Sequence, residues 1–303
     1  MAQPTTTSNF SGKAAGFYIS AALKQAQSLE YLTMIENIKF KSNIQKMASA
    51  DVVRDASCDF TKYGTLALTE AVLTPKNLQI NLDLCKLELL DSWEALEMRA
   101  GAGAPTPNSF NDYVISYMGE MIASATETSI WTGNDATAGS FTGFVTGGAV
   151  GHMNVAGNTV IDVTATAPFT VANIVANLEA VAAAIPVAVY TKEDLFLYVS
   201  PKTYRLYISK MSELGYINAY SMNKDYDAVF QGLNIAVCPG MPDDTIVAAE
   251  KSNLFFGTDL LSDATRIDLL DMANLDGSDN MRLVARYSGG TQIGIGSDIV
   301  LAV

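Results

Sequence analysis

The stretch from Ser109 to Trp131, SFNDYVISYMGEMIASATETSIW, constrains the fold of this chain more than any other part of it. Phe110, Tyr113, Val114, Tyr117, Met118, Met121, Ile122 and Ala125 recur at spacings of three and four, which puts them on one apolar stripe of a 3.6-period helix. Ser109, with Asp112 three residues on, reads as an N-cap, and Gly133 reads as a left-handed helix end. At 1.5 Å per residue the rod is about 34 Å long. Its stripe is expected to be core, so a domain must be built along it.

The rest of the chain divides around this rod. Residues 1–50 form an N-terminal arm, with a helix expected over residues 13–32. In residues 51–84 the period changes to two: Leu78, Ile80 and Leu82 alternate with polar neighbours, and Tyr63-Gly64 marks a turn. A long two-stranded ribbon is the economical reading. An isolated ribbon is marginal in water, so a neighbouring subunit or its own domain must cover that apolar face. Residues 85–167 hold a short helix over 87–99, a Gly/Pro linker and the rod at 109–131. Residues 168–256 read as a compact α/β unit: a helix through Ile174, Leu178 and Val181, the strand LFLYV, and a helix capped by Ser200 with Pro201 in its first turn. Residues 257–303 return as strands, with a turn expected at Gly289-Gly290.

Composition narrows the function. The net charge is −13, but residues 1–100 carry 10 basic and 11 acidic side chains, against 9 and 21 in residues 101–303. An acidic body repels phosphate backbones, so any contact with DNA should be weak, non-specific and confined to the arm, where Lys13, Lys24, Lys39, Lys41 and Lys46 outnumber Glu30 and Glu36. No run of apolar residues is long enough for a transmembrane helix, and the N-terminus lacks signal-peptide order. Cys58, Cys85 and Cys238 are widely spaced without a metal-binding pattern, which fits reduced thiols made in a cytoplasm.

Chemistry is hard to find. No phosphate-binding loop, nucleophile elbow or zinc-protease motif occurs. The single histidine, His152, stands in a Gly/Thr-rich stretch and reads as a loop residue; Asp243-Asp244 and Asp225 with Asp227 read as turn formers. No catalytic, cofactor-binding or metal-binding residue is assigned.

The order of parts is nevertheless familiar. LTPKNLQINLDLCKLELLDS, then the rod closing on IWTGN, then FLYVSPKTYRLYI and GLNIAVCPGMPDDTIVAAEKSNLFFG, resembles the major capsid proteins of tailed bacteriophages. That resemblance implies an α+β, HK97-like fold: N-terminal arm, extended two-stranded loop, peripheral domain with a long spine helix, and α/β axial domain. It also implies a structural protein, not an enzyme, that self-assembles as hexamers and pentamers into an icosahedral head around the genome. Its location would be the virion, after synthesis in the bacterial host cytoplasm. Portal, scaffolding or decoration proteins would be partners, DNA only weakly; no cofactor or membrane is implied. Leu78, Ile80 and Leu82 become candidate assembly contacts, and the rod stripe becomes spine-helix core. Some relatives begin with a long scaffolding segment, whereas here the fold starts within about 50 residues, implying separate scaffolding or none. Some cross-link a Lys to an Asn; nothing marks a partner for Lys62 or Lys76, so no cross-link is expected. The alternative is an encapsulin-type compartment shell of the same fold, and behind it an uncharacterised hydrolase or binding module.

Overall fold

Two sheets and one long helix carry the architecture. The computed structural model describes residues 27–50, 53–56, 58, 62–85, 108–145, 151–215, 229–259, 267–272, 277–278 and 280–303, with backbone alone at 48–50, 108–114, 267 and 271. The helix expected over 87–99, the linker after it and the loop bearing Asp225 and Asp227 lie outside the described residues. So does all but the end of the helix expected over 13–32; that end is a 3-10 turn, Gln27–Tyr31.

The rod is α1, Asn108–Thr132, which places Ser109 inside the helix instead of at its cap. Its buried side carries Ile115, Met118, Ile122, Ile130 and Trp131, together with polar Thr126, Glu127 and Ser129. Met118 and Ile122 are core as expected. Tyr117 and Met121 are not: they are 50% and 49% exposed, and Ala125 is exposed beside them. The side chains of Phe110, Tyr113 and Val114 lie outside the described residues. Two stripes about one residue apart fit the same period because this helix is apolar around much of its girth. The choice between them is made by tertiary docking, which turns Glu127 and Trp131 inward.

Gly133 follows the helix without a left-handed φ, correcting the expected cap. The chain instead doubles back: the N–H groups of Gly143, Phe144 and Val145 donate to the carbonyls of Gly133, Ile130 and Trp131, each at 2.8 Å. Helix-end carbonyls thereby gain partners they would otherwise lack. A Cβ at Gly133 would collide with the Phe141 and Ser129 carbonyl oxygens, so close backbone approach is what demands glycine here.

The strands are β1 (Thr33–Ile35), β2 (Ser42–Ala50), β3 (Thr65–Leu73), β4 (Lys76–Cys85), β5 (Ile161–Val163), β6 (Leu195–Val199), β7 (Val229–Phe230), β8 (Leu233–Val237), β9 (Ile246–Glu250), β10 (Leu254–Gly257), β11 (Ile267–Asp271), β12 (Asn280–Ile293) and β13 (Val300–Ala302). Helices α2 (Ile174–Ala184), α3 (Val187–Tyr190) and α4 (Pro201–Glu213) complete the described set. As the sequence indicated, Ser200 caps α4, its hydroxyl accepting from the Thr203 N–H at 3.2 Å with Pro201 in the first turn.

A six-stranded sheet runs β5-β13-β9-β6-β8-β7. Its central strands are buried on both faces, which is why they read as continuous apolar runs. Period two still sorts their side chains. Leu195, Leu197, Val199, Ile246 and Ala248 join α2 and α4 in one core, whereas Tyr198, Val247 and Ala249 join α1 and the second sheet in the other. In the latter core Trp131 stacks tilted against Tyr198 and Phe144, with ring centroids 5.5 and 5.6 Å away.

The second sheet has order β1-β10-β12-β11, with β4 also paired to β12. Three sequence boundaries change. β10 already belongs to this sheet, and β13 leaves it to enter the six-stranded one between β5 and β9. The turn expected at Gly289-Gly290 is absent: β12 runs straight through both residues.

Candidate assembly surface

β2 and β3 pair antiparallel from Ser42↔Leu73 to Ala50↔Thr65 and form a two-stranded sheet of their own. The ribbon therefore spans 42–73, not 51–84. Its outgoing strand begins inside the segment read as arm, and Gly64, at φ +75°, lies in the connection just before β3.

β4 was expected to be half of that ribbon, but it pairs with β12 from Lys76↔Gly289 to Cys85↔Asn280. Leu78 is 6% exposed and Ile80 is half-buried against the core around α1, so both serve the chain's own core; Leu82, 40% exposed, remains at the surface. Alternation correctly marked one buried face of this strand. What covers that face is the core around α1, and what pairs with the strand's edge is β12, near the other end of the chain; no local pattern reveals either.

The ribbon itself carries the exposed apolar surface. Residues directly opposite in an antiparallel pair share a face, and Asn43↔Val72, Gln45↔Glu70, Met47↔Leu68 and Ser49↔Leu66 make up one of them. Leu66, Leu68 and Met47 are 63%, 71% and 63% exposed, and Val72 is also exposed. Covering each of the first three is worth about 1 to 2 kcal/mol. The signal for these residues is the alternation in TLALTEAV, which the reading centred on β4 passed over. On the opposite face Ile44, Lys46 and Ala71 are half-buried, and desolvation lowers the Lys46 pKa.

The root of the ribbon is fixed to the second sheet. Leu73 is fully buried, and a Cβ on Gly257 would lie 2.6 Å from Leu73 Cδ2 and 2.8 Å from Ile38 Cδ1, so only glycine lets both side chains close over β10. Gln292 Nε2 donates to the Val72 carbonyl at 2.8 Å. Lys76 Nζ reaches the carbonyl of Asp135 at 2.7 Å and its carboxylate at 2.9 Å.

A cavity of about 340 Å³ beside that root is lined by Thr74, Lys76, Asp135, Thr142, His152 and Thr291, among others. His152 lies in a turn, as expected of a loop residue, but is half-buried there; burial lowers its pKa to about 4, against the opposing effect of a hydrogen bond with the Thr291 backbone. Asp244 behaves as the turn former expected, at φ +60° with its carboxylate accepting from the Phe169 N–H at 2.9 Å. Cys58, Cys85 and Cys238 are free, and burial pushes the Cys238 thiol up. Among the described residues no group of His, Cys, Asp or Glu could hold a metal ion, and no helix is long and apolar enough to cross a membrane.

One further polar centre was missed by sequence reasoning. Glu127 on α1 is 6% exposed and accepts from the Ser28 hydroxyl, the Ser28 N–H at 3.2 Å and the Gly240 N–H at 3.2 Å. Trp131 Nε1 donates to Ser28 Oγ at 2.7 Å, and the Tyr198 hydroxyl donates to the Tyr31 carbonyl at 2.7 Å. The 3-10 turn after the arm is thus locked to both the long helix and the six-stranded sheet.

A two-stranded ribbon, a spine helix with the second sheet packed along it, and a six-stranded sheet backed by α2 and α4 together define the HK97-like shell fold. Solved structures with this fold include the capsid of an empty GTA particle, with TM-score 0.57 and 12% identity over 99% of this chain and 94% of that one. A Mycobacterium phage Ogopogo structure aligns with TM-score 0.58 and 12% identity over 90% of each chain. A virus-like particle from Pyrococcus furiosus aligns with TM-score 0.52 and 10% identity over 95% of this chain and 96% of that one. No family model matches the chain, and no curated protein matches it.

Proposed function

We propose that this chain is the structural shell subunit of a tailed-phage head, assembling as hexamers and pentamers around packaged DNA. The observation that carries this is the ribbon: a two-stranded sheet with Met47, Leu66 and Leu68 open to solvent, on a fold shared with capsid structures. A lone ribbon gains little stability from itself, and a neighbouring subunit that covers this face supplies what the monomer lacks. The subunit acts by packing, without a catalytic residue, cofactor or metal. Portal, scaffolding or decoration proteins are its partners in the virion, with synthesis in the host cytoplasm. DNA contact falls to the basic arm, since residues 101–303 repel phosphate.

Electron microscopy of the purified chain tests this. Closed shells, or rings of five and six, are the expected result; a monodisperse monomer at high concentration overturns it. The second reading is a compartment shell that holds protein cargo, kept because the virus-like particle from Pyrococcus furiosus, whose name ties it to no phage, aligns with the same TM-score of 0.52 as the satellite phage P4 procapsid. Nuclease-protected DNA in particles from the native source favours the head, and enclosed protein without DNA favours the compartment.

A further inference from the structure

The short connection from β1 to β2 is pinned at both ends and open in the middle. Asn37 takes a left-handed φ of +65°, and Ile38 is buried with its N–H donating to the Thr258 carbonyl at 3.1 Å. β2 starts at Ser42, paired to Leu73. Held between these points, Lys39, Phe40 and Lys41 are all exposed, and Phe40, at 85%, is the most exposed aromatic side chain among the described residues. Its ring buries little within its own subunit, while the fixed backbone around it preorganises the loop for a partner. The same chain carries a cavity of matching chemistry. About 520 Å³ in volume, it lies beside β5 and the Asp243-Asp244 turn: Val145, Val163, Pro242 and Leu301 supply apolar walls, and exposed Asp162 and Asp243 belong to the lining.

We propose that Phe40 of one copy inserts into this cavity of a second copy, with Lys39 and Lys41 against Asp162 and Asp243. The inference rests on the shell reading, which brings copies of the chain together, and adds which surfaces meet. Charge complementarity selects the occupant: a ring between two ammonium groups faces apolar walls with two carboxylates beside them. Lys202 Nζ already lies 3.3 Å from Asp243, so Asp162 carries the greater share of the attraction. An aromatic anchor seated in an apolar pocket, with charges around it, is the arrangement that dominates interface energies. The two surfaces differ, so the contact is heterologous: each copy gives one ring and receives one, which builds closed rings when the rotation closes. One such anchor covers far less than the roughly 1,200 Å² of a stable interface, so it acts together with the ribbon contact. Nucleic acid is the less favoured occupant, because a single aromatic with two lysines offers no succession of stacking rings.

Disulfide trapping between full chains tests it. Chains carrying Cys58→Ser/Lys39→Cys and chains carrying Cys58→Ser/Thr164→Cys are mixed under assembling conditions and mildly oxidised; Thr164 is an exposed member of the cavity lining. Disulfide-linked dimers are expected from the mixture and not from either chain alone, with mass spectrometry placing the bond between the two introduced thiols. Phe40→Ser should keep the melting transition and raise the chain concentration needed for particles roughly tenfold. Asp162→Lys should act in the same direction, and combining it with Lys39→Glu/Lys41→Glu should recover assembly. Parent-like particles from the mixture without such dimers overturn the contact and leave the shell reading standing. So does a Phe40→Ser chain that assembles like the parent; if that chain has instead lost retention of a labelled single-stranded oligonucleotide, the loop belongs to nucleic acid. A parent chain that stays monomeric overturns both readings.

Discussion

Ser28 and Glu127, 99 positions apart in the chain, are joined by two hydrogen bonds from one residue: backbone N–H and hydroxyl of Ser28 both donate to the same buried carboxylate. Hydrogen bonds to a charged acceptor in a low-dielectric site are stronger than neutral ones, and here they fasten three elements at once: the turn after the arm, α1, and the Gly240 loop. The pair explains why a polar turn of α1 faces inward while Tyr117 and Met121 face out.

Glu127→Ala is therefore expected to destabilise the chain by about 3 kcal/mol, because the Ser28 and Gly240 donors remain buried without their acceptor. Glu127→Gln keeps one acceptor oxygen and should cost about half as much. Chemical denaturation followed by circular dichroism measures both; equal stability of Glu127→Ala and the parent would show that the junction contributes nothing.

The two candidate stripes of α1 make opposite predictions. Ile122→Asp places a carboxylate at a position with no solvent exposure and should abolish the cooperative melt. Met121→Ser, at a half-exposed position, should shift stability by less than about 1 kcal/mol. Thermal melts of the two variants decide the stripe, and comparable losses in both would contradict the orientation described for α1.

Sequence legibility followed the range of the interactions involved. Ser200 and Pro201 were readable because a cap is settled within four residues, and LFLYV because a strand buried on both faces is continuously apolar. α1 was readable as a helix, but its rotation was not: Met118 and Ile122 lie on both possible stripes, and Glu127, which decides between them, looks like an ordinary exposed glutamate. β4 was readable as a strand with one covered face, yet its partner β12 lies near the opposite end of the chain. At the ribbon, the Leu66, Leu68 and Val72 alternation was available. It was overlooked because Leu78, Ile80 and Leu82 show the same period more strongly.

His152 makes stability pH-dependent in a definite direction. Burial holds its folded-state pKa at about 4, below the usual 6.5, in a cavity where Lys76 and Asp135 are the charged groups. A histidine with a depressed folded pKa binds protons more readily when unfolded. Its contribution is complete above about pH 6.5 and is lost as pH falls toward 4, by up to about 3 kcal/mol. Melting temperatures measured from pH 7 to 4 should therefore fall less steeply for His152→Gln than for the parent chain. Parallel profiles would remove His152 from the acid response.

Folding and assembly separate most clearly at the ribbon. Because β4 is built into the second sheet, deleting residues 51–84 removes Leu73, Leu78 and Ile80 from the interior, so that deletion should unfold the chain and says nothing about assembly. The informative change leaves the strands in place: Leu66→Ser/Leu68→Ser alters only side chains that are 63% and 71% exposed, on a ribbon whose root at Leu73, on the other face, is untouched. Little apolar area is lost inside the monomer, so its melt should stay within about 1 kcal/mol of the parent. In an assembled shell the same two side chains would be covered at every ribbon contact, and losing about 1 to 2 kcal/mol at each should hold the protein as small oligomers under conditions where the parent forms particles. Analytical ultracentrifugation beside circular dichroism reads both quantities. Particles of normal size from the double variant would sink the assignment of this face, as would a collapse of its melt.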